Sequence, residues 1–246
     1  MLPSQPNNSL ILGFACFQEI VGAEGPLGSR ELARRLGVTP TRANRILGTL
    51  AHIGMVEKTA KSKYGVGPGV HVLAAQGMKA SRLLPVALPA LLEWRKEGFT
   101  VALGVLWREK VSYLFHERPW QNFEEALALH EPWPVEYSSL GMALLAAQPG
   151  KITAPPPQAN HGANLLPGQG FAASIKEARR TGYALRRYTS GEVSIGVAIG
   201  VPAVAGIAVS NPYLSDDAIP LLAARLTKAA EEMARRLAQP LPRKKK

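Results

Sequence analysis

Residues 39–50 read Thr-Pro-Thr-Arg-Ala-Asn-Arg-Ile-Leu-Gly-Thr-Leu, and four of these side chains suit contact with a polyanion. Thr41, Arg42, Asn44 and Arg45 are polar or cationic and close together. A guanidinium is a rigid fork of donors that fits a guanine edge or a phosphate. The neighbouring residues supply the geometry. Ala43, Ile46, Leu47 and Leu50 recur at i, i+3, i+4 and i+7, which is one apolar stripe of a helix. Thr39 suits the N-cap, and Pro40 suits the first helical position, where a missing N–H is not needed. A groove-reading helix needs this arrangement, with polar residues near its start and an apolar stripe that docks on the domain. The plainer alternative for Arg42 and Arg45 is a solvated helix face.

The elements before and after must hold that helix in place. Residues 29–36 form a shorter amphipathic helix with Leu32, Ala33 and Leu36 inward, Ser29 as its cap and Gly37 as its stop. Two short helices joined through a glycine turn make a helix-turn-helix. A first helix, capped by Asn8 or Ser9, presents Leu10, Phe14, Phe17 and Val21 on one face. Residues 53–58 and 64–67 read as a strand pair around a polar turn, and Lys58, Lys61 and Lys63 give this wing the charge to grip phosphate. The polar-turn alternative stays open for Lys61 and Lys63. Between positions 30 and 63, Arg30, Arg34, Arg35, Arg42, Arg45, Lys58, Lys61 and Lys63 face only Glu31 and Glu57.

The chain of 246 residues has a formal charge of +11. Such a balance favours an anionic partner, nucleic acid or an acidic membrane surface. A basic tail, Arg235, Arg236 and Arg243 to Lys246, supplies part of the charge but not the excess in the N-terminal segment. Hydrophobic residues make up 46% of the chain, enough for true cores. Cys16 is the single cysteine, so intrachain disulfides and cysteine-based zinc clusters are excluded, and it reads as a small buried hydrophobe. His52, His71, His116, His130 and His161 show no metal spacing. There is no signal-peptide pattern and no run of about 18 apolar residues, so a cytoplasmic protein is expected.

Beyond the wing the pattern changes. Residues 70–80 read as a linker helix and 83–97 as a second one, with Pro85 and Pro89 near its start. Residues 100–107 and 111–116 form a hairpin, followed by a loop-rich segment over 118–134. A small-residue helix over 141–147 is capped by Ser138 or Ser139. Residues 148–169 read as a long loop. A helix over 172–181 stops at Gly182, residues 193–200 and 203–210 form a second hairpin, and a closing helix carries Leu222, Leu226, Ala229, Met233 and Leu237 on one face. The N–H groups that begin the 141–147 helix can hold a carboxylate, although plain capping explains either serine alone. Ser194 and Ser210 share a pocket only if their strand register turns both inward. Arg186 and Arg187 could attract an anion, but a charge pair after a helix is ordinarily solvated. No nucleophile–base pair, paired carboxylates, phosphate loop or nucleophile elbow is present, so an enzyme is not expected.

Three signatures in order resemble the isocitrate-lyase-regulator (IclR) family of bacterial transcription factors. They are Glu31 to Gly37 followed by Thr41 to Leu47 and the wing; Pro134-Val-Glu-Tyr-Ser-Ser-Leu-Gly-Met-Ala-Leu-Leu-Ala146; and Arg180-Thr-Gly-Tyr-Ala184 with Val193-Ser-Ile195 and Ala208-Val-Ser-Asn-Pro212. The resemblance spans about residues 9–238. It implies an α+β protein: an N-terminal winged helix-turn-helix joined by a linker helix to a GAF-like α/β effector-binding domain with a mainly antiparallel sheet. The expected domains are 1–76 and 77–246, the linker helix lying in the second. The implied DNA-binding residues are Arg30, Thr41, Arg42, Asn44, Arg45, Lys61 and Lys63. The implied effector-binding residues are Ser138, Ser139, Gly141, Ser194 and Ser210. The partners implied are double-stranded operator DNA, a small-molecule effector, usually a carboxylate, and further copies in a homodimer or homotetramer; no cofactor or metal is implied. Departures fall in the sensor half. Met142 stands where the family has lysine, Arg186-Arg187 replaces an acidic pair, and Ala208 replaces the first serine of its motif. They leave open a constitutive DNA binder with a degenerate, ligand-free sensor.

Overall fold

The computed structural model describes residues 4–108, 110–119, 132–150, 165–166 and 170–240. Two compact units, Met1–Ser81 and Arg82–Lys246, divide the chain.

The first unit has helices α1 (Asn8–Val21), α2 (Ser29–Leu36) and α3 (Pro40–His52), the two-stranded wing β1 (Val56–Lys58) and β2 (Tyr64–Val66), and α4 (Pro68–Ser81). Its core is Cys16, Ile20, Leu32, Leu47, Val56 and Tyr64, all buried. Gly37 ends α2 in the left-handed conformation at φ 64°, which a glycine adopts without steric cost. The Thr39 hydroxyl accepts from the Arg42 amide and so caps α3, with Pro40 in the first turn. Such a cap stabilises a helix by about 1 kcal/mol.

Several local expectations need correction. Asn7, not Asn8 or Ser9, caps α1 through its side-chain carbonyl. Gly28 occupies the cap position of α2 and Ser29 is already helical, with no side-chain cap bond. The buried face of α1 is set by Cys16 and Ile20, while Leu10, Phe14 and Val21 are exposed. Both stripes have helical period, and of the expected face only Phe17 packs on this core, with Leu12 beside it. β1 starts only at Val56 because Gly54 turns the chain out of α3 at φ 74°.

The second unit is a six-stranded antiparallel sheet with helices on both faces. Its elements are α5 (Leu83–Lys96), β3 (Thr100–Trp107), β4 (Lys110–Glu117), β5 (Trp133–Pro134), α6 (Ser139–Ala146), α7 (Phe171–Thr181), β6 (Ala184–Arg187), β7 (Val193–Ile199), β8 (Ala205–Asn211) and α8 (Ile219–Ala238). The strand order is β5-β4-β3-β8-β7-β6. Alternation sorts the side chains. Val193, Ile195, Val197 and Ile199 of β7 meet α5 and α8, burying Leu91, Leu222 and Leu226. The opposite face packs α6 and α7 through Leu140, Leu144, Ile175 and Ala178. The buried stripe of α8 includes Leu222, Leu226 and Met233 as expected, with Ala230 buried and Ala229 partly so.

Glycines bring α6 down onto the sheet. A Cβ on Gly196 of β7 would collide with the Ser139 carbonyl and the Leu140 amide. The same atom on Gly206 of β8 would press on Leu140. Arg186 and Arg187 form a strand, β6, rather than a solvated pair after a helix. Their side chains are half-buried and bonded. Of the expected loop over 148–169, most lies outside the described residues, as does most of 118–134.

Candidate functional site

The sequence directs attention first to the start of α3 and the wing. Thr41, Arg42, Asn44 and Arg45 are exposed, while Ala43 and Leu47 are fully buried beneath them. The helix therefore presents its polar N-terminal face and docks by its stripe. Arg30 is exposed on α2, and Lys61 and Lys63 on the wing turn. The Thr59 hydroxyl shapes that turn, accepting from the Lys63 amide and meeting the Lys63 carbonyl. The Tyr64 hydroxyl donates to the Asn44 side-chain carbonyl at 3.4 Å, linking the wing to α3.

The ion pairs of this unit sort its bases into two groups. Glu31 receives Arg34 at 2.8 Å and Arg35 at 2.9 Å, and Arg35 also reaches Glu19 at 3.4 Å. Hydrogen bonds from Arg34, then Arg35, hold the Glu31 carboxyl down at about 2. Among the described residues, Arg30, Arg42, Arg45, Lys58, Lys61 and Lys63 have no acidic partner. The bases whose charge is neutralised, Arg34 and Arg35, are thus outside the set that the sequence selected for DNA.

In the second unit the five expected effector residues come from three elements and meet at the start of α6. Ser138 caps α6 by accepting from the Gly141 amide at 3.0 Å, and its hydroxyl also pairs with the Tyr113 hydroxyl at 2.8 Å. The Ser139 and Ser194 hydroxyls lie 2.7 Å apart. Ser210 donates to Glu192 at 2.5 Å. All four serines are buried. Gly141 is a packing residue, since a Cβ there would strike Val111 and Val135. Register explains the convergence. Arg186 is opposite Ser194, Ser194 opposite Ser210, and Ser210 opposite Thr100. Directly opposed residues share a face, so one polar row crosses four strands on the α6 side.

Sequence reasoning treated Arg186 as ordinarily solvated, and in the structure it is half-buried and bonded within the fold. Its Nε donates to the Glu136 backbone carbonyl at 3.0 Å and its Nη1 to the Ser174 hydroxyl at 3.3 Å. Burial pulls its pKa below the ordinary range, against smaller opposing effects of Tyr188 and Glu136. Arg187, by contrast, pairs with Asp216 at 2.7 Å. Arg186 and Glu136 line a cavity of about 540 Å³ beside α7 and β6 that includes none of the five expected residues. Burial, chiefly, also raises the phenols of Tyr113 and Tyr188. The alternation of Leu185, Arg186 and Arg187 was the available signal, but only strand pairing tells which arginine turns inward. Among the described residues no group of acidic, histidine or cysteine side chains has metal-binding proximity, and no helix is long and apolar enough to cross a membrane.

Residues 20–60 match the family model of the IclR helix-turn-helix domain. No curated protein matches the sequence. Solved structures match almost the whole chain. A transcriptional regulator of the IclR type from a Silicibacter species is 22% identical, with a TM-score of 0.74, covering 96% of this chain and 98% of its own. An IclR homologue of Microbacterium hydrocarbonoxydans, complexed with 4-hydroxybenzoate, is 20% identical with a TM-score of 0.68 over 94% of this chain and 99% of its own. The IclR of Thermotoga maritima is 20% identical with a TM-score of 0.56 over the same shares.

Proposed function

We propose, taking as premise that this chain is an IclR-family transcriptional regulator, that α3 reads operator DNA while the second unit senses a small metabolite, a carboxylate. The premise rests on the helix-turn-helix match and on a whole-chain fold shared with IclR structures. The observation that carries the DNA reading is the set of unpaired cations at the start of α3 and on the wing. In this reading Thr41, Arg42, Asn44 and Arg45 face base edges, and Arg30, Lys61 and Lys63 hold phosphates. The effector lies against Ser138, Ser139, Gly141, Ser194 and Ser210, where N–H groups and the α6 dipole favour an anion. A related IclR homologue holding 4-hydroxybenzoate supports a carboxylate. A homodimer or homotetramer belongs to the same reading, supported by exposed Leu10 and Phe14 on α1 and Val72 and Leu73 on α4.

Duplexes selected from a random pool, then titrated by fluorescence anisotropy, test the DNA half. Arg45→Ala is expected to weaken the selected site by roughly 1–3 kcal/mol and random duplex far less. Equal losses on both, with a shallower salt slope, would make Arg45 a phosphate clamp and sink the base contact. One observation favours a second reading, constitutive binding with a closed sensor: Ser138, Ser139, Ser194 and Ser210 already have hydroxyl, carboxylate or amide partners. That reading expects operator affinity to ignore every metabolite that binds the chain.

A further inference from the structure

The cavity beside α7 and β6 brings together two charged side chains that do not pair with each other. Arg186 spends Nε and Nη1 on Glu136 O, Ser174 Oγ and Leu185 O, so its bonds go to neutral acceptors. Its neighbour Arg187 has a carboxylate, and Glu177 on α7 has Arg180. Glu136 is the remaining charge on the wall. Its Oε2 is buried without a hydrogen-bond partner. A half-buried guanidinium with no carboxylate bonded to it and a buried carboxylate oxygen without a donor each carry a desolvation cost that a complementary ligand group removes. The rest of the wall is largely apolar, with Met142, Leu165, Leu166 and Phe171. The volume, about 540 Å³, lies within the range of small-molecule pockets, about 300–1,000 Å³.

We propose that this cavity binds a free amino acid with an apolar side chain. Its carboxylate pairs with Arg186, its ammonium donates to Glu136, and its side chain lies against Leu165, Leu166 and Phe171. A one-headed carboxylate satisfies Arg186 but leaves Glu136 unpaired and adds a second negative charge beside it. A zwitterion satisfies both groups and adds no net charge. The wall of this site includes none of the serines at the start of α6, although Arg186 lies directly opposite Ser194 in the sheet. Its occupancy rests on the sensor reading only for any effect on DNA, not for binding itself.

Isothermal titration of the full chain with L-phenylalanine and L-leucine tests this, with 3-phenylpropionate and phenethylamine as analogues lacking one head group. At least one amino acid is expected to bind, and each one-headed analogue of phenylalanine to bind at least about tenfold more weakly, the loss of one charge-assisted contact. Glu136→Gln is expected to narrow the gap between phenylalanine and 3-phenylpropionate, and Arg186→Gln the gap between phenylalanine and phenethylamine. Ser174→Phe, at a half-buried position on the cavity wall, is expected to abolish binding by filling the space, and it also removes one acceptor of Arg186. Binding of neither amino acid at millimolar concentration overturns the proposal, as does an analogue that binds as tightly as phenylalanine. Operator affinity, measured in parallel, separates the two claims. Amino-acid binding with no change on DNA keeps the site and removes its sensor role. A plain carboxylate that shifts operator affinity while phenylalanine does not bind keeps the sensor and removes this site.

Discussion

Arg34 and Arg45 lie eleven residues apart in one basic segment, yet among the described residues only Arg34 has an acidic partner. The difference comes from helix geometry. Glu31 lies three and four residues before Arg34 and Arg35, so all three side chains meet on one face of α2. No acid occupies the matching positions before Arg42 or Arg45. Glu31 also yields a pH prediction. Its folded pKa, about 2, lies below the ordinary value of 4.5. The pair's contribution is therefore complete above the ordinary value and is lost as pH falls through about 2, the direction for a depressed carboxylate. A side-chain NMR titration should place the Glu31 midpoint near 2; a midpoint near 4.5 would mean that the arginines do not hold it in solution. Because the pair is solvent-exposed, its loss should leave the fold intact.

At the scale of elements, the approach of α6 to the sheet depends on glycine rather than on apolar bulk. Gly196 admits the Ser139–Leu140 backbone, and this contact brings the Ser139 hydroxyl to Ser194. Gly196→Ala should destabilise the second unit by about 1–3 kcal/mol, the usual cost of overpacking, or more if α6 cannot shift. Gly13→Ala in α1, where a Cβ meets nothing, should instead stabilise by about 0.5–1 kcal/mol through helix propensity. Urea denaturation of both variants checks the pair, and a Gly196→Ala midpoint no lower than that of Gly13→Ala would rule out the close approach. The helices themselves were legible from caps and periodicity. α3, with Thr39 and Pro40 at its start, has the expected form. The buried face of α1 was not legible. Leu10 and Phe14 have the same helical spacing as Cys16 and Ile20, and only the partners α2 and α3 decide which stripe is covered.

For the whole molecule, the proposed regulator couples an effector to an operator, and such coupling is reciprocal. If an effector changes operator affinity by some factor, the operator changes effector affinity by the same factor. Calorimetric titration of the effector into free protein and into saturated protein–operator complex should therefore differ by the ratio seen in DNA binding. Unequal factors would exclude a simple two-site equilibrium. The size of the effect is bounded by the ligand's differential affinity for the two states.

The sequence by itself determined what is decided within a turn or two of chain: the helix-turn-helix, the Thr39 cap and Pro40 start of α3, and the wing charge. Backbone hydrogen bonding and side-chain periodicity act over that range, so residue order suffices. Tertiary structure alone decided the polar row of Arg186, Ser194, Ser210 and Thr100, which joins residues from four strands. A one-residue change of register moves every side chain of a strand to the other face, and composition does not specify that register. It likewise decided that Arg186 bonds the Glu136 carbonyl on one face while Arg187 meets Asp216 on the other. Adjacent residues on a strand point to opposite faces, and only the folded sheet distinguishes the face covered by α6 from the face covered by α8.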